Sequence, residues 1–137
     1  MSRLMSAAFT EAAVRDRTKT VTRRKGWWED KNGRRMVKPG DRLTLCRKVM
    51  GRKAGEPLER IADVEVTDVR RERLDRMLTD LDYGFDETER EGMRTTNPAA
   101  VFPSVFVDLY FVAAQGMDPS DYVTRIEWRY VRDWVTV

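Results

Sequence analysis

The sequence predicts an α+β fold: one domain over residues 1–137, built on a small, mostly antiparallel, barrel-like sheet with helices packed around it. Three observations carry that expectation. Two segments with strand alternation lie close together in the first half. A third closes the chain, and the stretch between them is patterned for helices. A length of 137 residues suits one hydrophobic core and leaves little room for a second.

Ser6 to Arg17 reads as a short helix with Ala8, Phe9, Ala12 and Ala13 on one face. The β-branched residues of Thr18 to Arg24 then favour an extended segment. Gly26 to Pro39 is polar and contains the turn signal Asn32-Gly33, so it reads as a long basic loop or a small hairpin. Of the adjacent Trp27 and Trp28, an extended backbone turns one into the core and leaves the other at the surface. Pro39-Gly40-Asp41 turns into a strand over Arg42 to Val49, where Leu43, Leu45 and Val49 mark the buried face. Cys46, beside Leu45, reads as packing.

Gly51 to Pro57 is a flexible basic connection. Glu59 to Val69 is the next strand, with Ala62, Val64 and Val66 inward and a phase slip near Thr67 of the kind a bulge produces. Leu74, Met77, Leu78 and Leu81 space as a short helix. Asp86 to Met93 reads as another, with Asp86 as N-cap and Gly92 as terminator. Phe102 to Gln115 is the most apolar stretch and reads as a helix that Gly116 ends. After a turn at Asp118 to Asp121, Tyr122 to Val131 alternates Ile126, Trp128 and Tyr130 against Arg125, Glu127 and Arg129, which is a strand.

Composition narrows the function. No apolar run approaches the length that crosses a bilayer, and charges enter the N-terminal segment too early for a secretory signal; the expectation is a cytoplasmic protein without a membrane partner. With one cysteine and no histidine, a disulfide framework and the usual zinc and Cys-His arrangements are unavailable, and neither metal nor cofactor is expected. The net charge of +3 divides unevenly: residues 1–60 hold 17 Lys+Arg against 7 Asp+Glu, and residues 61–137 hold 9 against 16. A basic half suits a polyanion such as RNA, and two opposite halves equally suit pairing across one folded surface.

Candidate chemistry therefore falls to Lys, Thr, Ser, Tyr and carboxylates. The densest constellation is Lys19-Thr20-Val21-Thr22-Arg23-Arg24. In extended backbone Thr20, Thr22 and Arg24 share one face and Lys19, Val21 and Arg23 the other, and a turn between Lys19 and Thr22 would bring those two together. A desolvated Lys amine can activate a Thr hydroxyl, although such a run is more often a solvated phosphate-binding edge.

Lys19-Thr20-x-Thr22-x-Arg24, then Lys38-Pro39-Gly40-Asp41 opening a strand, then Glu91-Gly92-Met93 and a closing Val123-x-x-Ile126-Glu127-Trp128 strand, resembles the ASCH domain of the PUA-like superfamily. The resemblance covers most of the chain in order. It implies a small PUA-like β-barrel whose mouth forms a cleft for RNA or a modified nucleoside or nucleotide. Some members are amidohydrolases acting on acetylated cytidine nucleosides, and others are implicated in RNA binding or as ribonucleases. Carried over by position, the implied catalytic set is Thr22 as nucleophile, Lys19 as its activator and Glu91 as general acid/base or water positioner. The family places glycine two residues before the Lys, where this chain has Arg17. Read from its helix alone, Glu91 would merely answer Arg90 or Arg94.

The segments over 26–38 and 51–57 are longer than in the minimal amidohydrolases. For a bound nucleic acid the expected contacts are Thr20, Arg23, Arg24, Lys25, Trp27, Arg34, Arg35, Arg52, Lys53 and Arg125, with phosphates on the cations and bases on the Trp rings.

Overall fold

The computed structural model describes residues 2–134. Among them, five strands form one sheet: β1 (Arg3–Ser6), β2 (Val21–Arg24), β3 (Arg42–Cys46), β4 (Arg60–Arg73) and β5 (Tyr122–Asp133). Their spatial order is β1-β3-β4-β5-β2, and the sheet curls into a half-barrel. All pairings are antiparallel except β1 with β3. The curl follows from the long β4–β5 ribbon, whose right-handed twist is increased where the register slips between Asp63 and Val64 and again between Val66 and Asp68. The second slip is the bulge that the pattern near Thr67 predicts.

Five helices pack around the sheet: α1 (Glu11–Arg15), α2 (Arg76–Thr79), α3 (Leu81–Arg90), α4 (Met93–Thr96) and α5 (Pro103–Val107). A 3-10 turn at Pro98–Val101 precedes α5, and a π-helical turn at Asp108–Ala113 follows it. Two groups of buried side chains result. One fills the half-barrel with Met5, Leu43, Leu45, Val64, Ile126 and Trp128. The other lies under the helices and includes Leu74, Met77, Met93, Phe106, Phe111 and Val123.

Several sequence expectations are corrected. Ser6 ends a strand instead of starting a helix, because β1 buries Met5 and Ala7 N still donates to Cys46 O at 2.7 Å. The helix that follows is shortened to a 3-10 turn at Ala8–Thr10 and α1, which leaves Phe9 85% exposed where the helical face would have buried it. β4 continues four residues past Val69, since Arg70 to Arg73 pair with β5 and Glu72 turns inward. Asp86 lies inside α3, where it pairs with Arg90 at 2.9 Å; the cap is Asp80, whose carboxylate accepts from Tyr83 N.

The segment over 26–39 is the small hairpin, closed by a bridge between Glu29 and Arg35 and turned at Gly33. Both Trp27 and Trp28 pack against the half-barrel core. The reason is backbone: Trp27 has a φ of 70°, so the alternation of an extended chain does not hold there.

Candidate functional site

Lys19 lies just before β2, and its backbone is clamped. Trp128 Nε1 and Tyr130 OH, two residues apart on the core-facing side of β5, both donate to Lys19 O. Burial pushes the Tyr130 phenol up to about 12, so it remains a donor. The turn that delivers Lys19 has Arg17 at a φ of 63°, the left-handed conformation that favours glycine. The position where the resemblance expects glycine therefore keeps the glycine-like backbone while carrying an arginine. Arg17 is held by Asp133 at 2.9 Å and lies over the Tyr130 ring.

Glu91 follows the last turn of α3, and Gly92 after it has a φ of 83°. A Cβ on Gly92 would lie 2.5 Å from Ala13 Cβ and 3.1 Å from Lys19 Cβ. This glycine thus serves both the left-handed stop and the close passage of the Lys19 segment. Lys19 Nζ donates to Glu91 Oε1 at 2.9 Å and to Glu91 O at 3.1 Å, and both side chains are almost wholly buried. Arg90 and Arg94, the local partners, are occupied by Asp86 and Glu89. Burial lowers the Lys19 pKa; the Glu91 carboxylate opposes that shift without reversing it.

Behind this pair sits an ion cluster that composition alone did not reveal. The fully buried Arg23 guanidinium donates to Glu91 Oε2 at 3.1 Å, to Glu72 Oε2 at 3.0 Å and to Glu87. Glu87 also accepts two bonds from Arg125, one from Nη2 at 3.0 Å. Burial alone would raise the Glu87 pKa, but the two guanidiniums more than reverse this and hold it at about 2. Burial opposes protonation of Arg23 as well, and its three carboxylates overcome it and raise its pKa. Among the described residues these carboxylates are not grouped to hold a metal ion. Arg23 and Arg125 therefore act as internal struts, since each guanidinium is committed to carboxylates.

Lys19, Thr22 and Glu91 all line one cavity of about 610 Å³. It opens where the curled sheet fails to close. Arg24, at the end of β2, spans that seam by donating to Ser6 O at the end of β1 at 2.7 Å. Arg24 Nε also donates to Thr22 Oγ1 at 3.2 Å, and among the described residues no hydrogen bond joins Thr22 to Lys19 or Glu91. The polar wall includes Lys19, Thr22, Arg23, Arg24, Lys25 and Glu91. The opposite composition comes from α5 and the π-helical turn, with Phe106, Leu109 and Phe111. That segment reads from sequence as plain helix, so its role as a wall was missed; its continuous apolar face was the available signal.

The remaining expected contacts lie elsewhere. Thr20 binds through its backbone, N to Arg90 O and O to Trp128 N. Arg34, Arg35, Arg52 and Lys53 are exposed and are not part of the cavity wall. Arg35 stacks on the Trp28 ring at 3.4 Å, and Arg52 folds back onto Val49 O. Trp27 is half-buried and packs against the half-barrel core. No helix among the described residues is long and apolar enough to cross a membrane.

No family model matches the sequence, and no curated protein matches it. Among solved structures the chain is similar to the crystal structure of protein EF3133 from Enterococcus faecalis V583, of family DUF984. The TM-score is 0.58 at 12% identity, over 100% of this chain and 84% of that one. At that identity the likeness is one of fold.

Proposed function

We propose that the chain is an ASCH-type, PUA-like protein that binds a modified nucleoside or nucleotide in the seam cavity. The observation that carries this reading is the cavity itself. Its volume of about 610 Å³ suits one nucleotide-sized ligand, and it joins a cationic wall at Lys19, Arg24 and Lys25 to an apolar wall at Phe106, Leu109 and Phe111. A planar base with polar edges matches both walls. The exposed basic loops over 26–38 and 51–57 favour a longer RNA, but they do not contribute to the cavity, so a single nucleotide is the better-supported occupant.

A second reading, hydrolysis of an N-acyl cytidine, is favoured by the Lys19–Glu91 contact. A lowered Lys pKa makes the neutral amine accessible as a base, and Thr22 stands at the same wall. In that reading the Thr22 hydroxyl adds to the acyl carbon as its proton passes to the Lys19 amine. The C–N bond then breaks, the amine leaves with that proton, and Glu91 directs the water that cleaves the acyl ester. A ribonuclease has no geometric support beyond the same three residues.

Titration calorimetry with ribonucleosides and their 5′-monophosphates, including N4-acetylcytidine, tests the binding reading; the expected result is saturable 1:1 binding. Absence of binding to the whole panel at millimolar concentration would sink it. For the second reading, acetate release from N4-acetylcytidine is expected to vanish in Lys19→Ala and Glu91→Gln. No acetate from the wild-type protein would leave binding alone.

A further inference from the structure

The three buried cations of this site each have a carboxylate partner, and the half-buried cation beside them has none among the described residues. Lys19 has Glu91, Arg23 has three glutamates, and Arg125 has Glu87 and Glu127. Arg24, half-buried in the cavity wall, forms no ion pair among the described residues; its hydrogen bonds go to two neutral oxygens, Ser6 O and Thr22 Oγ1. Next to it Lys25 is exposed at the same cavity, also without an ion pair among the described residues. A guanidinium withdrawn from water without an anion is unfavourable, and a chain this rich in glutamate has paired its buried cations. Burial lowers the Arg24 pKa, and the Glu91 carboxylate, which is paired with Lys19 and Arg23, opposes that shift without reversing it.

The apolar rim shows a second imbalance. Phe9 is 85% exposed and Leu109 is 45% exposed, and both line this cavity. Phe9 sits in the 3-10 turn that leaves β1, within a few residues of Ser6, the acceptor for Arg24. An exposed aromatic beside an unpaired cation is the pairing that takes a ring and an attached anion together.

Resting on the nucleotide reading above, we infer that the ligand carries a phosphate: Arg24 and Lys25 take the phosphate, and the base lies against Phe9 and Leu109. The occupant is a nucleoside monophosphate in preference to the neutral nucleoside. The phosphate supplies the anion Arg24 lacks, and a guanidinium holding a phosphate oxygen keeps donors free for Ser6 and Thr22.

The test is calorimetric titration with each ribonucleoside beside its own 5′-monophosphate, at low and at physiological salt. The monophosphate is expected to bind about tenfold tighter, with the advantage shrinking as salt rises. Lys25→Gln, an exposed change that does not threaten the fold, is expected to remove a severalfold part of that advantage, read as the ratio of the monophosphate and nucleoside affinities. Arg24→Gln is expected to bring the two affinities to near parity, and Arg24→Lys to restore part of the difference. Phe9→Ala is expected to weaken both ligands alike, by about tenfold. Equal affinity of the wild-type protein for nucleoside and monophosphate overturns the phosphate site and leaves the nucleotide reading standing. Binding that is indifferent to Phe9→Ala overturns the ring contact. Failure of every nucleoside and monophosphate to bind removes the nucleotide reading itself, and this inference with it.

Discussion

Two basic regions of this molecule use their charge in opposite ways. In the β2–α3 region, Lys19, Arg23 and Arg125 are buried and each is matched to glutamates from distant segments. In the loops over 26–38 and 51–57, Arg34, Arg35, Arg52 and Lys53 remain in water. A buried ion loses its hydration and must recover that cost from well-placed partners, whereas a solvated one gains little from any single neighbour. The density of positive charge along the chain therefore says nothing about where electrostatics is strong. Burial decides that.

The sharpest way to break the comparison is Glu87→Ala. It takes one of three carboxylates from Arg23 and the buried partner from Arg125, and an expected loss of about 3–5 kcal/mol would appear as a lower urea midpoint. If the loss stays below 1 kcal/mol, the cluster is not a strut. The same cluster sets an acid limit. The Glu87 carboxyl has a pKa of about 2 when folded against 4.5 for the ordinary group, so the native state binds fewer protons than the unfolded chain between these values. Stability is then lost as pH falls through that window, and Glu87 protonation followed by carboxyl NMR should track the loss. Lys19 acts in the same sense in a more alkaline window: its lowered pKa means that stability rises as pH climbs toward its ordinary value.

Gly92→Ala probes how the two segments are brought together. A left-handed φ and a Cβ inside contact distance of Ala13 and Lys19 predict a cost of about 2–4 kcal/mol and loss of ligand binding, read by thermal melting and calorimetry. Arg17→Gly works in the favourable direction, since it relieves the left-handed strain but loses the Asp133 pair and the Tyr130 contact. The expected net gain is under about 1 kcal/mol, read as a small rise in melting temperature. Smallest of all, Arg34→Ser with Lys53→Ser should stay within about 0.5 kcal/mol of wild type. A larger effect would place the loops in the same electrostatic class as the cluster.

Much of the frame was legible because it depends on local periodicity. The alternation of Ile126, Trp128 and Tyr130 locates β5, Leu43 and Leu45 locate β3, and the slip near Thr67 locates a bulge. Where local signals compete, the reading went astray. Asp86 looks like a cap, yet α3 begins at Leu81, where Asp80 accepts from Tyr83 N and the Tyr83 phenol donates to Glu72 of β4. Four-residue β1 is too short for a period, and its strand character comes from pairing with β3. The polar run Arg70 to Arg73 looks like the end of a strand because burial of Glu72 requires Arg23, 49 residues away.

By itself, the sequence determined the α+β class, the places of the longer strands, the turn glycines and the residue types available for chemistry, since each follows from neighbours along the chain. Only the tertiary structure decided that Lys19 meets Glu91 across 72 positions, that Arg23 is paired with carboxylates and Arg24 is not, and that Phe9 stands exposed at a cavity. The physical reason is that both the desolvation of a charge and the partner that compensates it are supplied by segments remote in sequence, brought together here by the curl of the sheet and the close passage at Gly92.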